Sequence, residues 1–516
     1  MTDFREILAS GELFSVTCEL VPGRGFKGKE IDSVFTFSRS AKAAGLVHAV
    51  SITDNAGGNP AILTDAIARE LVEEGVEVIM HFSLKDMNRS MVESRAWALA
   101  RQGIRNLLVV SGDYPTLGVE SGSQPVFDLD SVSALGMLSQ MNQGLQIPTR
   151  GGKVKALEGT NFFLGGVVSP FKWREALAFG QYAKLVKKVH AGARFIISQL
   201  GYDSWKHAEL IAYARKVLGL DVPILGSVYV LTAGAARLMQ KGEVPGCYVS
   251  AELLARVEEE AKSPDKGRQA RRERAALQVA TLKGLGYQGA HIEGLSLAFE
   301  EVQEILARAG ELAGSWRDRM EELRAAPPHP YYILQGTSGD WANGAPPKLT
   351  ATPKRRVPSP LFWLMQGMHW LLFHEGTLGH RLMTAASRAL DPHPRLVRAV
   401  YSFERGTKKM LFDCRECGDC MLPDLFFICP ESVCPKHMRI GPCGGNRPDG
   451  KCEAFPDRMC GWERAYWRAK RRNLLPSLQF IVPPRDWRLY RSASWLTYFL
   501  GRDHSKSKVM LPRPLQ

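Results

Sequence analysis

The chain has 516 residues, of which 45% are hydrophobic and 23% charged, and its formal net charge is +14. This length gives room for two or three domains, and the composition excludes a disordered or fibrous protein. The positive charge favours anionic partners such as a polyanionic cofactor, nucleic acid or a membrane surface. We expect no cleaved secretion signal, because the first residues contain acids and no apolar core segment, and the longest apolar run, residues 361–373, is too short to span a bilayer. We therefore expect a cytoplasmic protein.

Eight short apolar runs, each followed by a stretch with helical periodicity, occupy the first 300 residues. They are residues 14–18, 48–52, 76–80, 107–110, 162–168, 195–198, 222–228 and 289–292. A strand that is apolar throughout is typical of a parallel sheet covered by helices, so eight such units predict a (β/α)8 TIM barrel. A doubly wound open sheet is the alternative. No Gly-x-Gly-x-x-Gly motif follows the first run, which weakens the dinucleotide-binding form of that fold.

Polar side chains stand where five of these runs end. They are Glu19, Thr53, His81, Asp113 and Gln199. Each has an ordinary structural explanation on its own, such as a turn cap, an ion pair or a satisfied core histidine. The carboxyl ends of barrel strands, however, form one rim on which active sites are built. One isolated glutamate with an aspartate, a neutral amide, a histidine and a threonine suits a substrate that needs one proton and several hydrogen bonds. The paired nearby carboxylates of glycosidases are not expected.

The chain resembles the methylenetetrahydrofolate reductase family over about residues 12–305. The resemblance is carried, in this order, by Val-Thr-Cys-Glu19, Val-Ser-Ile-Thr53, His81, Ser-Gly-Asp113, and Lys187-Lys188-Val-x-Ala-Gly-Ala followed by Gln199. It implies a flavin-containing (β/α)8 barrel that reduces 5,10-methylenetetrahydrofolate to 5-methyltetrahydrofolate.

The resemblance also implies roles in catalysis and substrate binding. Glu19 would be the general acid that protonates N10 of the folate and opens the five-membered ring, which requires a raised pKa that burial could provide. Hydride would then pass from N5 of the reduced flavin to the iminium carbon. Asp113 would lie between the flavin and the pterin, and Gln199 would bind the pterin.

The same resemblance implies how the flavin is held. Thr53 and His81 would contact it, and Lys188, with the help of Lys187, would bind its phosphates; a solvated helix face is the ordinary alternative for these lysines. The chain departs from the family after the fifth strand, where it reads Val-Val-Ser-Pro-Phe instead of a Tyr-Pro-Glu-x-His-like segment. Its first strand is followed by Leu-Val-Pro-Gly instead of Phe-Phe-Pro-Pro. FAD is the expected cofactor, and FMN stays open.

Three segments interrupt or follow the barrel pattern. Residues 146–160 predict a Gly- and Lys-rich loop, and the charge run at 258–277 predicts a solvated helix face rather than a nucleic-acid patch, because no aromatic residues interleave with it. Proline-rich residues 311–358 predict a linker after a barrel domain at 1–310. A helical and cysteine-rich domain is then expected at 359–470, and a basic, aromatic tail at 471–516.

Eight of the ten cysteines crowd into the second half of the chain. They are Cys414, Cys417, Cys420, Cys429, Cys434, Cys443, Cys452 and Cys460. Cys-x2-Cys-x2-Cys with a later Cys-Pro is typical of [4Fe–4S] ligation, and eight thiols could hold one cluster or two. Zinc is the alternative, and His437 is expected to be a bystander.

This half resembles the cysteine-rich C-terminal domain that is fused to, or partnered with, some bacterial methylenetetrahydrofolate reductases. The resemblance implies that clusters feed electrons to the flavin, so the donor is either NAD(P)H or an electron-carrier protein. A folate-linked methyltransferase and a metal-stabilised nucleic-acid-binding protein are the rival functions. The quaternary state, including a homo-oligomer, stays open.

Overall fold

The computed structural model describes residues 3–115, 122–342, 348–350 and 360–511. The chain divides into two compact units. The first unit comprises Met1–Thr350 together with Cys443–Pro456, and the second comprises Ala351–Pro442 and Asp457–Gln516.

The strands, numbered in chain order, are β1 (Ser15–Leu20), β2 (Ala49–Ile52), β3 (Val78–Ser83), β4 (Asn106–Val110), β5 (Gln146–Pro148), β6 (Val154–Ala156), β7 (Phe163–Val168), β8 (Phe195–Ser198), β9 (Ile224–Tyr229), β10 (Gly289–Glu293), β11 (Phe480–Ile481) and β12 (Val509–Met510). Eight of them close a barrel in the order β1-β10-β9-β8-β7-β4-β3-β2, and every pair in it is parallel. The TIM-barrel prediction is confirmed.

The helices of the first unit are α1 (Phe4–Ser10), α2 (Lys29–Ala44), α3 (Thr64–Glu73), α4 (Arg89–Arg101), α5 (Ser131–Gln143), α6 (Glu175–His190), α7 (Ser204–Ala212), α8 (Ala233–Lys241), α9 (Ala251–Glu260), α10 (Arg268–Leu285), α11 (Phe299–Glu311), α12 (Trp316–Arg319) and α13 (Ser338–Ala342). Those of the second are α14 (Pro360–Phe373), α15 (Leu378–Leu390), α16 (Pro394–Phe412), α17 (Pro430–Val433), α18 (Gly461–Arg471) and α19 (Ser494–Phe499). Within the described residues, none of these helices combines the length and apolarity needed to cross a membrane.

An apolar plug fills the amino end of the barrel. The Phe4 ring of α1 packs edge-on against Phe195, with 5.5 Å between ring centroids, and Phe195 stacks on Phe163 at 5.0 Å. Phe163 and Phe195 are the first residues of β7 and β8, which places the plug at the end where the strands begin. A Cβ atom on Gly165 would stand 2.3 Å from the Phe195 ring, so only glycine fits there. The opposite end is left for polar side chains.

Residues 146–160 are not the plain loop that the sequence predicts. β5 and β6 pair antiparallel within them, and Thr149 closes the turn by donating from its backbone nitrogen to the carbonyl of Lys153 at 2.7 Å. The loop prediction is therefore wrong, because the local turn geometry lets two three-residue segments pair despite their exposure and polarity.

Residues 311–342, which the sequence assigned to a linker, pack against the barrel. The hydroxyl of Tyr332 donates to Asp203 at 2.6 Å, and the Tyr332 ring lies 5.6 Å from Trp205. The backbone nitrogen of Ile333 donates to Glu209. Aromatic residues inside the proline-rich stretch give it apolar surface to bury, which the linker prediction overlooked. The parts of that predicted linker at 343–347 and 351–359 lie outside the described residues.

The charge run at 258–277 forms the end of α9 and much of α10, and its arginines pair with neighbouring acids. Arg274 contacts Glu260, and Glu273 accepts from Arg308 at 2.6 Å and from Arg319 at 2.8 Å. The run therefore serves helix-to-helix ion pairing on the surface of the first unit.

Candidate active site

Glu19 lies at the centre of a polar cluster inside the carboxyl end of the barrel. Its Oε2 atom is 3.8 Å from Nε2 of His81 and 3.9 Å from Nε2 of His291. Ser51 holds Nε2 of His81 at 2.8 Å, and Thr17 holds Nδ1 of His291 at 2.7 Å. Thr17 and Glu19 share a face of β1 because side chains alternate along a strand. Glu19 and His81 thus belong to the strands themselves and not to the loops that follow.

The electrostatics of Glu19 differ from the expectation. Burial acts to raise the pKa of the Glu19 carboxyl, but the nearby imidazoles of His291 and His81 act against burial and outweigh it, so the net shift is downward. Burial also lowers the pKa of His81, against the opposing effect of Glu19. The prediction of a raised pKa for Glu19 is wrong, because the two imidazoles outweigh burial.

A second carboxyl group, Glu293, joins this cluster. Its Oε1 atom lies 3.9 Å from Nε2 of His291, the same nitrogen that Glu19 approaches. Burial and the negative charge of Glu19 raise the pKa of Glu293 well above its usual range, although a hydrogen bond with Ser227 opposes this. The expectation that Glu19 has no carboxyl group paired with it nearby is wrong, and the environments of Glu19 and Glu293 shift their pKa values apart.

Sequence reasoning missed His291 and Glu293, although a signal was present. They follow each other at alternate positions in β10, where an otherwise apolar strand is interrupted by polar residues that share one face.

Asp113 is held by the loop that follows β2. Its Oδ2 atom accepts a 2.9 Å hydrogen bond from the backbone nitrogen of Gly57. Gly57 and Asn55 both have left-handed backbone conformations, and Asn55 fixes the loop by accepting from the backbone nitrogen of Ala61 at 2.9 Å. Thr53 is buried, and its carbonyl accepts from the hydroxyl of Thr64 at 2.8 Å. Thr53 and Asp113 therefore belong to one connected part of the rim.

Gln199 stands at the end of β8, half-buried. Its Oε1 atom accepts from the backbone nitrogen of Leu200 at 3.1 Å. A Cβ atom on Gly246 would lie 3.2 Å from its Nε2 atom. The donor end of the Gln199 amide thus faces the chain around Gly246.

Lys187 and Lys188 are buried, not on a solvated helix face. Burial, helped by nearby Lys184 and opposed by Asp130, lowers the pKa of both ammonium groups to about 7. Nζ of Lys188 donates to the carbonyl of Val167, near the carboxyl end of β7. The structure does not bring these lysines into the Glu19 cluster, and their role toward phosphates stays a prediction.

Polar groups at the rim fit a cofactor with a hydrogen-bonding ring edge. The buried hydroxyls of Ser83, at the end of β3, and Ser169, directly after β7, have no hydrogen-bond partner among the described residues. Buried hydroxyls are rarely left unpaired in native proteins, so these two call for a ligand or water. For Ser83, the donor and acceptor edge of a flavin ring would meet that requirement.

Four of the eight clustered cysteines influence one another electrostatically. Burial first, and then Cys420, raise the pKa of Cys417, and the same two causes raise the pKa of Cys429 to about 11. Burial and Cys420 also raise the pKa of Cys414, against a backbone hydrogen bond from Glu416. Nζ of Lys408 lies 3.4 Å from the Cys420 sulfur. Three thiols of one loop and a later Cys-Pro thus lie close enough to influence one another's pKa, and their spacing along the chain is compatible with a metal centre.

The other cysteines divide between the two units. Cys443 and Cys452 belong to the first unit, whereas Cys434 and Cys460 belong to the second. His437 forms an ion pair with Glu431, at 3.1 Å.

Two family profiles match the chain. The one described as methylenetetrahydrofolate reductase matches residues 3–310, which is more than half of the chain. The chain belongs to the methylenetetrahydrofolate reductase family. The second profile, described as methylene-tetrahydrofolate reductase C terminal, matches residues 393–488 and supports the fusion that the sequence predicts.

One curated relative and one solved structure are similar to the chain. Methylenetetrahydrofolate reductase 2 of Saccharomyces cerevisiae is 27% identical over 215 residues, which cover 39% of this chain and 32% of the yeast protein. The chain thus matches about a third of the length of this curated relative. A solved structure, titled as an uncharacterized protein from Clostridium thermocellum that binds two copies of 5-methyl-5,6,7,8-tetrahydrofolic acid, is 14% identical with a TM-score of 0.41. The match covers 60% of this chain and 99% of that one.

Proposed function

We propose that this protein is a flavin-dependent methylenetetrahydrofolate reductase, which converts 5,10-methylenetetrahydrofolate to 5-methyltetrahydrofolate. The observation that carries the proposal is the cluster of Glu19, His81 and His291 at the carboxyl end of a barrel that belongs to this family. The reaction adds one hydride and one proton to the substrate. The barrel must therefore supply a proton at a defined atom and hold the folate against a hydride donor.

The proton comes from the carboxyl pair. Glu19 faces the folate and protonates N10, and Glu293 keeps its proton to a higher pH than an ordinary glutamate because burial and the charge of Glu19 raise its pKa. Nε2 of His291 lies 3.9 Å from both carboxyl groups and connects them. This arrangement reconciles the lowered pKa of Glu19 with an acidic role, since the proton is stored on the neighbouring group and delivered through Glu19.

Thr53, His81, Asp113 and Lys188 are the residues that would hold the flavin. Bound reduced flavin, FAD in our proposal, supplies the hydride. Burial lowers the pKa of His81, so it presents a neutral imidazole that exchanges hydrogen bonds without adding charge. Asp113 keeps a fixed carboxylate at the rim because Gly57 and its loop hold it.

Gln199 completes the folate side of the site. Its Nε2 end can donate to a pterin acceptor, because its Oε1 atom already accepts from Leu200. A neutral amide binds the pterin edge without perturbing the proton on the Glu19 pair.

The cysteine-rich half would supply electrons through iron-sulfur chemistry. The spacing of Cys414, Cys417, Cys420 and Cys429 and their mutual electrostatic influence support a cluster, and Nζ of Lys408 lies 3.4 Å from the Cys420 sulfur. We propose this route in place of, or beside, direct reduction by NAD(P)H.

The test is anaerobic half-reactions of the purified full-length protein. The flavin is identified after release, the protein is reduced, and 5,10-methylenetetrahydrofolate is added while the flavin absorbance is followed. Reoxidation of the flavin with formation of 5-methyltetrahydrofolate is expected. A protein that binds neither FAD nor FMN when they are supplied would overturn the proposal. Methyl transfer without any change in flavin absorbance would favour the methyltransferase instead.

A further inference from the structure

The segment Cys443–Pro456 lies among the cysteines of the second half of the chain but belongs to the first unit. We call it the rim segment. Its contacts are with loops at the carboxyl end of the barrel, where the folate site is proposed.

A buried lysine fixes one end of the rim segment. Lys172 follows β7 and is 3% exposed, and its Nζ atom donates to the carbonyls of Gly444 at 2.5 Å and Asn446 at 3.1 Å. On α6, Nε2 of Gln181 donates to the carbonyl of Cys443 at 2.9 Å. A buried ammonium group is costly unless it is hydrogen-bonded, so Lys172 and the backbone of the segment stabilise each other.

Further contacts extend the rim segment across the barrel. Arg447 donates to the carbonyl of Gly242, which directly follows α8, at 3.4 Å. The Phe455 ring lies 6.2 Å from Tyr114, the residue after Asp113. The segment thus contacts loops that follow β4, β7 and β9, which is much of one side of the rim.

The Gly-Gly turn of the segment stands beside Gln199. A Cβ atom on Gly246 would lie 2.8 Å from the carbonyl oxygen of Gly444 and 3.2 Å from Nε2 of Gln199, so both groups flank one glycine. A Cβ atom on Gly444 would meet only Ser169, at 3.8 Å, among the described residues. The turn therefore lies between the end of β7 and the end of β8.

Buried polar atoms without partners occur where the segment meets the rim. Asn446 is 3% exposed, and neither atom of its side-chain amide has a hydrogen-bond partner among the described residues. The hydroxyl of Ser169 is buried and equally unpaired within that part of the chain. Two such residues, one in the rim segment and one directly after β7, indicate a ligand with its own donors and acceptors.

We propose that the rim segment forms one wall of the folate site, with Asn446 binding the reduced pterin beside Gln199. The inference rests on the proposed function. A pterin edge carries N–H donors and a carbonyl acceptor, which match the amide of Asn446. The Tyr114–Phe455 pair offers apolar surface for the benzoyl ring of the same ligand. The C-terminal half of the chain thereby determines folate affinity, and not only electron supply.

The experiment measures binding of 5-methyltetrahydrofolate to the flavin-loaded, full-length protein by isothermal titration calorimetry. Asn446→Ala is expected to raise the folate dissociation constant about tenfold, the usual effect of losing a buried hydrogen bond. Gly444→Ala and Gly444→Leu are expected to raise it progressively, because Gly444 has an ordinary backbone conformation and a larger side chain would project toward Ser169. Pro448→Ala, an exposed change in the same segment, is the matched control and should change nothing.

Flavin content and the thermal unfolding midpoint are recorded for every variant. Weaker folate binding with unchanged flavin content supports the inference. Wild-type affinity in both Asn446→Ala and Gly444→Leu overturns it. If Gly444→Leu does not fold, Gly444→Ala takes its place. Wild-type folate affinity in both Asn446→Ala and Gly444→Ala then overturns the inference. A wild-type protein that binds flavin but no folate contradicts the proposed function itself. Measuring folate binding by the wild-type protein therefore separates that failure from failure of the inference.

Discussion

The backbone nitrogen of Gly57 donates a 2.9 Å hydrogen bond to the carboxylate of Asp113, and this bond joins the ends of two strands that are not neighbours in the barrel. Gly112 lies between the end of β4 and Asp113, and its φ of 81° is in the left-handed region that favours glycine. The position of the carboxylate therefore depends on one permissive residue and one loop.

Gly112→Ala should destabilise the protein and displace Asp113. A Cβ atom there would stand 2.4 Å from Oγ of Ser83, so a steric clash adds to the backbone strain. We expect a loss of roughly 2–4 kcal/mol in the free energy of unfolding, measured with urea. Gly11→Ala is the control, because its φ is 65° but nothing lies within 4 Å of a Cβ atom. It should lose only about 1 kcal/mol. Equal losses in the two variants would contradict the clash.

Glu19→Gln and Glu293→Gln should separate the two acidic roles. If Glu19 delivers the proton, Glu19→Gln lowers kcat by about 10²- to 10⁴-fold. Burial and the negative charge of Glu19 raise the pKa of Glu293, so glutamine resembles its protonated form but cannot supply the stored proton. Glu293→Gln should therefore retain folate binding and lower turnover by about tenfold, which is less than the effect of Glu19→Gln. The comparison uses stopped-flow reoxidation of the reduced protein. A larger loss of turnover in Glu293→Gln than in Glu19→Gln would assign the role of general acid to Glu293.

Flavin affinity should weaken as the pH rises above about 7. Burial and Lys184 lower the pKa of Lys188 to about 7, and an anionic phosphate binds the protonated form. Below that pKa the lysine is already charged, so the flavin dissociation constant does not change with pH. Above it, binding must take up a proton, and the constant should rise by up to about tenfold per pH unit.

Flavin fluorescence titrations between pH 6 and 9 measure this slope. Lys188→Gln should bind flavin more weakly and without the slope, whereas Lys155→Gln, an exposed change on β6, should keep the wild-type profile. A wild-type slope in Lys188→Gln would exclude Lys188 as the phosphate ligand.

Metal content should depend on four thiols, those of Cys414, Cys417, Cys420 and Cys429. Cys417→Ala removes one member of this donor set, so we expect iron and acid-labile sulfide per chain to fall. Cys247→Ala, outside the clustered cysteines, should leave both unchanged. Zinc without sulfide in the wild-type protein would contradict the iron-sulfur assignment. Full activity with NADH in a folded, iron-free Cys417→Ala protein would contradict the electron route.

The fold could be predicted from the sequence because its evidence is local. Each barrel strand is a short apolar run with a helix after it, and a strand such as β4 needs no distant information to be recognised. The same logic located Glu19, Thr53, His81, Asp113 and Gln199, since the carboxyl ends of parallel strands share one rim. The thiol spacing from Cys414 to Cys420 is equally local, as is its implication of a metal.

Only the tertiary structure determined how distant residues meet. His291 and Glu293 come from the last barrel strand and reach Glu19 on the first because the barrel closes, so the direction of the Glu19 pKa shift is a long-range property. The placement of Cys443 and Cys452 with the barrel likewise depends on Lys172, which is remote in sequence and gives no local signal of its partner. Sequence determined which residues end the strands. Barrel closure and burial determined which of them lie together and in which direction their pKa values shift.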